Sequence, residues 1–436
     1  MTPILHDVPV KQRWSAATAF LATVALGVFA TSVHADTAPT PGFAPDRLQR
    51  IQPVLQRYID EGRIAGVVTL VLRDGVTVHQ TAVGWADKEK RQPMRRDTLF
   101  RIASQTKAVT SVAVLQLAEE GKLSLNQPVS DFIATFASTS VAIQDASGAV
   151  SIAPARRKIT IHDLLTHTAG ISYGTQPHIS AQYEAKGLGP AAGAGWYFAD
   201  KNATVCESME PLGTLPFVAQ PGEAFVYGYS TDVLGCIVER VSGVSLDRYF
   251  RTRILDPLGM TDTFFFVPAD KRDRLAAVYS SVDGRAVRAG DDGRGQGHYV
   301  DGPRRGFSGG AGLVSTAQDY ARFLEMIRRD GTLEGQRILS PRSVALMRSN
   351  QVGTLHSTAG LGFGYGFQTV ERYGANGMDS PGSFGWSGAY GSFYRIDPQE
   401  RLVTLMMIQQ MPNQTDVRDR FATLVYQALL ESETKL

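Results

Sequence analysis

The feature that most constrains this chain is a run of eleven residues, Ala108 to Ala118, with no charge, lying between Lys107 and Glu119. The composition of the run predicts a helix from Ser104 to about Glu120, closed by Gly121 in the left-handed position that favours glycine. A helix with apolar and small residues on every face has no side to offer to water, so it must run through an interior. A chain of 436 residues can build that interior, with 43% apolar and 20% charged residues. This is ordinary globular composition, which excludes a disordered, collagenous or disulfide-scaffold protein. The 44 Lys plus Arg against 42 Asp plus Glu include no long basic run, so nucleic acid is excluded as the main partner. A small or uncharged molecule is the expected ligand.

At the N-terminus, Lys11 and Arg13 precede an uncharged run from Trp14 to Phe29, and Ser32-Val33-His34-Ala35 ends in a small-x-small pattern. This predicts a secretory signal over residues 1–35, cut after Ala35. The run falls short of the roughly 20 apolar residues that a spanning helix needs, so no stable membrane anchor is expected after cleavage. The mature chain is expected to be periplasmic or secreted. Cys206 and Cys236 would then meet an oxidising compartment and could pair. However, Cys236 sits in the apolar run Val233 to Val238, which favours a buried thiol.

Residues 36–43 have the composition of an extended linker. Leu48, Ile51, Leu55, Tyr58 and Ile59 follow helical spacing, with Pro53 predicting a kink. Val67–Leu72 and Val76–Val83 flank Asp74-Gly75 as a hairpin, and Ala389–Ile396 and Leu402–Gln410 flank Asp397 to Glu400 as another. Val417, Phe421, Leu424, Val425 and Ala428 mark a terminal amphipathic helix. The stretch between carries helical patterns separated by long loops. The expected fold is α/β plus all-α: an antiparallel sheet flanked by N- and C-terminal helices (residues 44–130 and 306–436), interrupted by an inserted helical domain (residues 131–305).

Three elements carry chemistry. Ser104-Gln105-Thr106-Lys107 is an S-x-x-K, and on a helix its first and last residues share a face. In an apolar helix the lysine is partly desolvated, which favours a neutral amine able to accept the serine proton. The helix start adds free N–H groups and a positive dipole end, which suit a developing oxyanion. The same pattern in Ser432-Glu433-Thr434-Lys435 has no helix after it and is read as chance. The second element is Pro221-Gly222-Glu223-Ala224-Phe225-Val226-Tyr227-Gly228-Tyr229-Ser230, a turn expected to lead into a helix near Thr231. A tyrosine there can present its phenol to a cleft, although a single tyrosine is more often core packing. The third is Trp386-Ser387-Gly388-Ala389, where small residues permit close backbone approach by a ligand.

These elements in this order resemble the serine β-lactamase and penicillin-binding protein superfamily, to which S-x-x-K belongs. Within it the chain is most similar to the class C β-lactamase-related esterases, or family VIII carboxylesterases. Leu164 to Gly170 and Ser308 to Thr316 fit the same superfamily, and the resemblance covers roughly residues 45–430. It implies an acylated nucleophile at Ser104, with Lys107 as its proton acceptor. Tyr227 takes the family tyrosine position in the frame that begins at Pro221, and Tyr229 is the competing alignment. The resemblance also implies an oxyanion hole from the N–H groups of Ser104 and Ala389. Trp386, Ser387, Gly388 and Tyr229 are carried over as substrate-binding positions. Two departures stand out. Tyr227-Gly228-Tyr229 lacks the amide of a Tyr-x-Asn, and Trp386-Ser387-Gly388 lacks the cation of a Lys-Thr-Gly. Both weaken antibiotic hydrolysis and favour an uncharged ester.

The expected reaction is therefore ester hydrolysis through an acyl-enzyme, with a small-molecule ester or amide substrate and neither metal nor organic cofactor. The alternatives are a β-lactamase or D-alanyl-D-alanine carboxypeptidase, an acyltransferase of the same fold, and a non-catalytic envelope binding protein. Gly306-Phe307-Ser308-Gly309-Gly310 matches a G-x-S-x-G elbow, but no strand signal precedes it and His356 is the only histidine downstream that could complete a triad. A tight turn before a helix capped by Ser315 is preferred. His162 and His167 lack metal-site spacing, and His167 is expected to be a satisfied structural histidine. Trp196-Tyr197-Phe198 is read equally as an acyl-pocket wall or a loop anchor.

Overall fold

Asp74 and Gly75 both take positive φ, 53° and 82°, and this turn folds strand Gly66–Arg73 onto strand Val76–Asp87. The computed structural model describes residues 42–189, 197–292 and 295–433. The expected signal, all but the end of the linker, Trp196, and Thr434 and Lys435 of the second S-x-x-K lie outside the described residues.

The hairpin belongs to an eight-stranded sheet. Its order is Leu361–Phe363, Gln368–Val370, Phe384–Ser387, Phe393–Asp397, Leu402–Met407, Gly66–Arg73, Val76–Asp87 and Gln92–Pro93. Every pairing is antiparallel. Strand Gly66–Arg73 is paired on both sides and buried along its whole length. Its side chains alternate between two cores, as the period of two requires. Val67 and Val71 pack with Ile51, Leu55, Phe421 and Val425 of the terminal helices Ile51–Asp60 and Val417–Tyr426. Val68, Leu70 and Leu72 join the larger core, which contains the helices Thr106–Glu119 and Ala317–Arg328. Pro53 makes no kink, because the helix begins at Ile51 and leaves the proline in the first turn, where no intrahelical N–H bond is lost.

The uncharged helix runs through this larger core. A 3-10 turn at Ala103–Gln105 leads into the α-helix Thr106–Glu119, and every residue from Thr106 to Leu117 is buried. Gly121 follows the end of the helix at φ 68°.

Between the sheet segments, residues 131–305 contain short helices, the longer helix Ser230–Ser242, and β structure that helical patterning did not predict. Strands Ser140–Gln144, Val150–Pro154 and Pro216–Phe217 form a small sheet, and Tyr279–Val282 pairs with Arg285–Arg288. The expectation of a buried thiol fails, because Cys206 and Cys236 form a disulfide. The two cysteines sit on the helices Val205–Met209 and Ser230–Ser242, which pack against each other and bring the sulfurs together. The described residues make one compact unit. None of their helices is long and apolar enough to cross a membrane.

Candidate active site

Ile102 donates its N–H to Leu313 O at 3.0 Å, and Ala103 follows with φ 43°, an uncommon conformation for a residue with a side chain. The 3-10 turn therefore leaves the short strand Phe100–Arg101 sharply and presents the half-buried Ser104 at the start of the buried helix. One turn on, Lys107 is 1% exposed. Its Nζ donates to Ser104 Oγ at 3.2 Å, to Tyr173 Oη at 3.2 Å and to Gly310 O at 2.8 Å. Three acceptors match the three hydrogens of an ammonium. In the neutral amine, two hydrogens stay with Gly310 and Tyr173 and the lone pair faces Ser104.

Tyr227 lies against the same amine, with Lys107 Nζ 4.6 Å from the centroid of its ring. Its hydroxyl accepts from Trp386 Nε1 at 3.1 Å. Tyr229 is elsewhere. It is fully buried, and its hydroxyl accepts from the Gly189 N–H at 2.9 Å. The competing alignment and the substrate-binding role for Tyr229 are thus corrected: it has no surface to give to a ligand. Gly228, between the two tyrosines, lies so close to other backbone that a Cβ there would sit 2.3 Å from Ile171 O. That approach carries Tyr173 to within 5.9 Å of Tyr227, ring centroid to centroid.

Tyr173 is a site residue that the sequence did not reveal. It stands three positions after Gly170, and nothing local distinguishes it from a packing tyrosine. Burial holds its hydroxyl well above the usual phenol range, and Tyr227, Asp232 and Tyr229 add to the effect. It therefore stays protonated beside Lys107.

The third element also makes a close approach to the chain itself. A Cβ on Gly388 would sit 2.5 Å from Ile102 O, so strand Phe384–Ser387 ends directly against the backbone that precedes Ser104. The next residue, Ala389, is exposed, and its N–H has no acceptor among the described residues. Ser387 is half-buried on the same strand end. Trp386 continues into an aromatic wall, 5.3 Å from Phe363 edge to face, and Phe225 lies 5.0 Å from Phe363 and 4.5 Å from His356.

His167 departs from the satisfied histidine expected of it. It has φ 57°, and its Nδ1 is buried without a partner. Its ring lies 4.7 Å from that of Tyr227, forming the wall behind it. Burial, with Lys107 and His356 adding, keeps this imidazole well below the ordinary histidine range, so it is neutral. Among the described residues, no group of three or more His, Cys, Asp and Glu side chains could hold a metal ion. Ser308, the serine of the G-x-S-x-G match, is 1% exposed and donates to Asp232 Oδ1. It lies in a turn with no strand before it, so it is no nucleophile elbow. The helix beyond is capped by Thr316, whose side chain accepts from the Asp319 N–H at 3.1 Å, and not by Ser315.

Comparison with known proteins gives consistent matches. The family model named Beta-lactamase matches residues 51–428. Protein Rv1367c of Mycobacterium tuberculosis is 37% identical over 83% of this chain and 90% of its own length. Esterase EstB of Burkholderia gladioli is 32% identical over 82% of this chain and 89% of its own. Among solved structures, EstCE1, described as a hydrolase with promiscuous acyltransferase activity, has a TM-score of 0.74 and 29% identity. That likeness covers 88% of this chain and 99% of EstCE1.

Proposed function

This chain belongs to the beta-lactamase family, and from that membership we propose that it is a serine hydrolase that cleaves carboxylic esters through an acyl-enzyme on Ser104. The observation that carries this reading is the buried Lys107 amine, 3.2 Å from Ser104 Oγ at the start of an interior helix. Ser104 Oγ attacks the ester carbonyl carbon as its proton passes to the Lys107 amine, and the carbonyl π pair moves onto oxygen. The N–H groups of Ser104 and Ala389 receive that oxyanion. Its collapse breaks the bond to the alcohol oxygen, which leaves with a proton relayed by Tyr227. Water then attacks the acyl-enzyme, the acid departs, and Ser104 recovers its proton. The name of esterase EstB supports ester cleavage and the description of EstCE1 as a hydrolase supports hydrolysis, and the aromatic wall at Trp386 suits an uncharged acyl or alcohol group.

Replacing Ser104 with Ala is expected to reduce hydrolysis of nitrophenyl butyrate by the purified protein to background; retained turnover sinks the assignment. Rates on a chromogenic cephalosporin measured alongside are expected to be far lower, and a cephalosporin preference would favour the β-lactamase reading. An alcohol in place of water turns the second step into acyl transfer, a reading that the description of EstCE1 favours. We place the mature protein outside the cytoplasm, on the strength of the leader pattern and the Cys206–Cys236 disulfide. N-terminal sequencing of the protein from its native cell is expected to begin at Asp36, and an intact leader in the soluble cytosol would refute this placement.

A further inference from the structure

The glycine-rich turn from Ser308 to Gly312 takes no part in the acyl transfer proposed above, yet it touches the Lys107 amine. Gly310 O accepts from Lys107 Nζ at 2.8 Å. The N–H of the same peptide group belongs to Ala311, and it donates to Ser308 Oγ at 2.9 Å. Ser308 Oγ in turn donates to Asp232 Oδ1. A continuous, consistently directed chain therefore runs from the lysine nitrogen, through one peptide group and one hydroxyl, to a carboxylate. Each bond in such a chain polarises the next.

The carboxylate is placed for this role as well as for holding the turn. Asp232 is 0% exposed, in the first turn of helix Ser230–Ser242. Its Oδ1 also accepts from the Gly310 N–H at 3.0 Å, while its Oδ2 is buried with no partner. Burying a carboxyl in this way is costly unless a cation compensates it. Burial pushes its titration up, and the Ser308 hydroxyl, the Lys107 charge and the Gly310 N–H oppose that push. The turn is shaped to fit it. A Cβ on Gly310 would lie 2.5 Å from Asp232 Oδ2, and one on Gly309 would lie 2.7 Å from Thr231 O, so both glycines let the backbone lie flat on the helix start. Thr110 Oγ1 holds the other side of the turn, donating to Gly309 O at 2.6 Å.

We propose that Asp232 is a positioning residue for the reaction, the buried counter-charge of Lys107, acting through the Ser308 hydroxyl and the Gly310–Ala311 peptide. It fixes the amine on Ser104 and stabilises the ammonium that forms when the serine proton arrives. This rests on the reading of Ser104 and Lys107 as nucleophile and base, and it adds Asp232 and Ser308 to the residues that support them.

Asp232→Asn removes the charge while keeping an acceptor for Ser308 and Gly310 and an atom of the same size at the unpartnered position. With nitrophenyl butyrate, it is expected to lower kcat by about 10- to 100-fold with KM within about twofold. The groups facing Lys107 are Ser104, Tyr173, Tyr227 and His167, and those facing Asp232 are Lys107, Tyr173 and Tyr229. With only the aspartate charge removed from that set, the acid limb of kcat/KM should move to lower pH. Ser308→Ala, which breaks the chain but leaves the charge, should lower kcat with KM unchanged, and Ser308→Thr should restore it. If Asp232→Asn does not fold, the Ser308 pair decides. A kcat within about twofold of wild type in Asp232→Asn, or equal rates for Ser308→Ala and Ser308→Thr, overturns the proposal. Ser104→Ala is assayed beside them. If it keeps activity, the nucleophile assignment has failed; if it is inactive while Asp232→Asn is unimpaired, only the inference about Asp232 has failed.

Discussion

A tyrosine's usefulness to a reaction is decided by what its hydroxyl can reach, and two tyrosines two residues apart illustrate this. Tyr227 stacks under Lys107 and bonds Trp386, whereas Tyr229 turns into the interior and bonds Gly189. Tyr227→Phe is therefore expected to reduce kcat by about 100-fold or more, the scale of a lost proton relay. Tyr229→Phe leaves the buried Gly189 N–H without its acceptor and should cost about 1–3 kcal/mol of stability, with kcat nearly unchanged. Parallel kinetics and thermal melts of the two variants check this, and a larger kcat loss in Tyr229→Phe would reverse the assignment. Local sequence placed Ser104 and Lys107 because both belong to one helical turn. It left the tyrosines open because a side chain's direction at a turn depends on what packs above it, here the Ile171–Ser172 backbone against Gly228. Asp232 had a faint signal, as the lone charge between Ser230 and Val238, in a segment otherwise made of apolar and small polar residues.

At the scale of elements, the two sheet hairpins and the terminal helix were legible, because turn chemistry and apolar period are local properties. The small hairpin of Ser140–Gln144 and Val150–Pro154 was not, and the third strand of its sheet, Pro216–Phe217, pairs with Ser140–Gln144 from far along the chain. The disulfide belongs to the same class. An apolar run around Cys236 indicates burial equally well for a thiol and for a bonded sulfur, and only the packing of two helices decides between them. The bridge spans 30 residues, and by chain entropy it should contribute about 3–4 kcal/mol. The Cys206→Ser, Cys236→Ser double variant is expected to melt several degrees lower with activity retained below the transition, and an unchanged melting temperature would count against that contribution. The disulfide also ties down the helix that carries Asp232.

For the whole molecule, histidine burial is expected to cost stability on the acid side. His79 is pushed down to about 4, by burial first and then by Arg96. Burial also lowers His162, His167 and His356. Each binds its proton more readily in the unfolded chain, near the ordinary value of about 6.5. The unfolded state therefore takes up more protons as pH falls, and stability is lost from about 6.5 down towards about 4. Thermal melts at pH 7.5 and pH 5 should give the lower midpoint at pH 5, and an equal or higher midpoint there would show that these imidazoles do not govern the acid limb. The sequence by itself determined the interior helix, the closeness of Ser104 to Lys107 and the sheet hairpins, because each depends on residues close together in the chain. Only the tertiary structure decided which tyrosine faces the amine, that the cysteines pair, that Gly388 meets Ile102, and that Ser308 and Asp232 stand behind Lys107. Those contacts join segments up to hundreds of residues apart, and their geometry is set by how closely backbones approach, which no local pattern records.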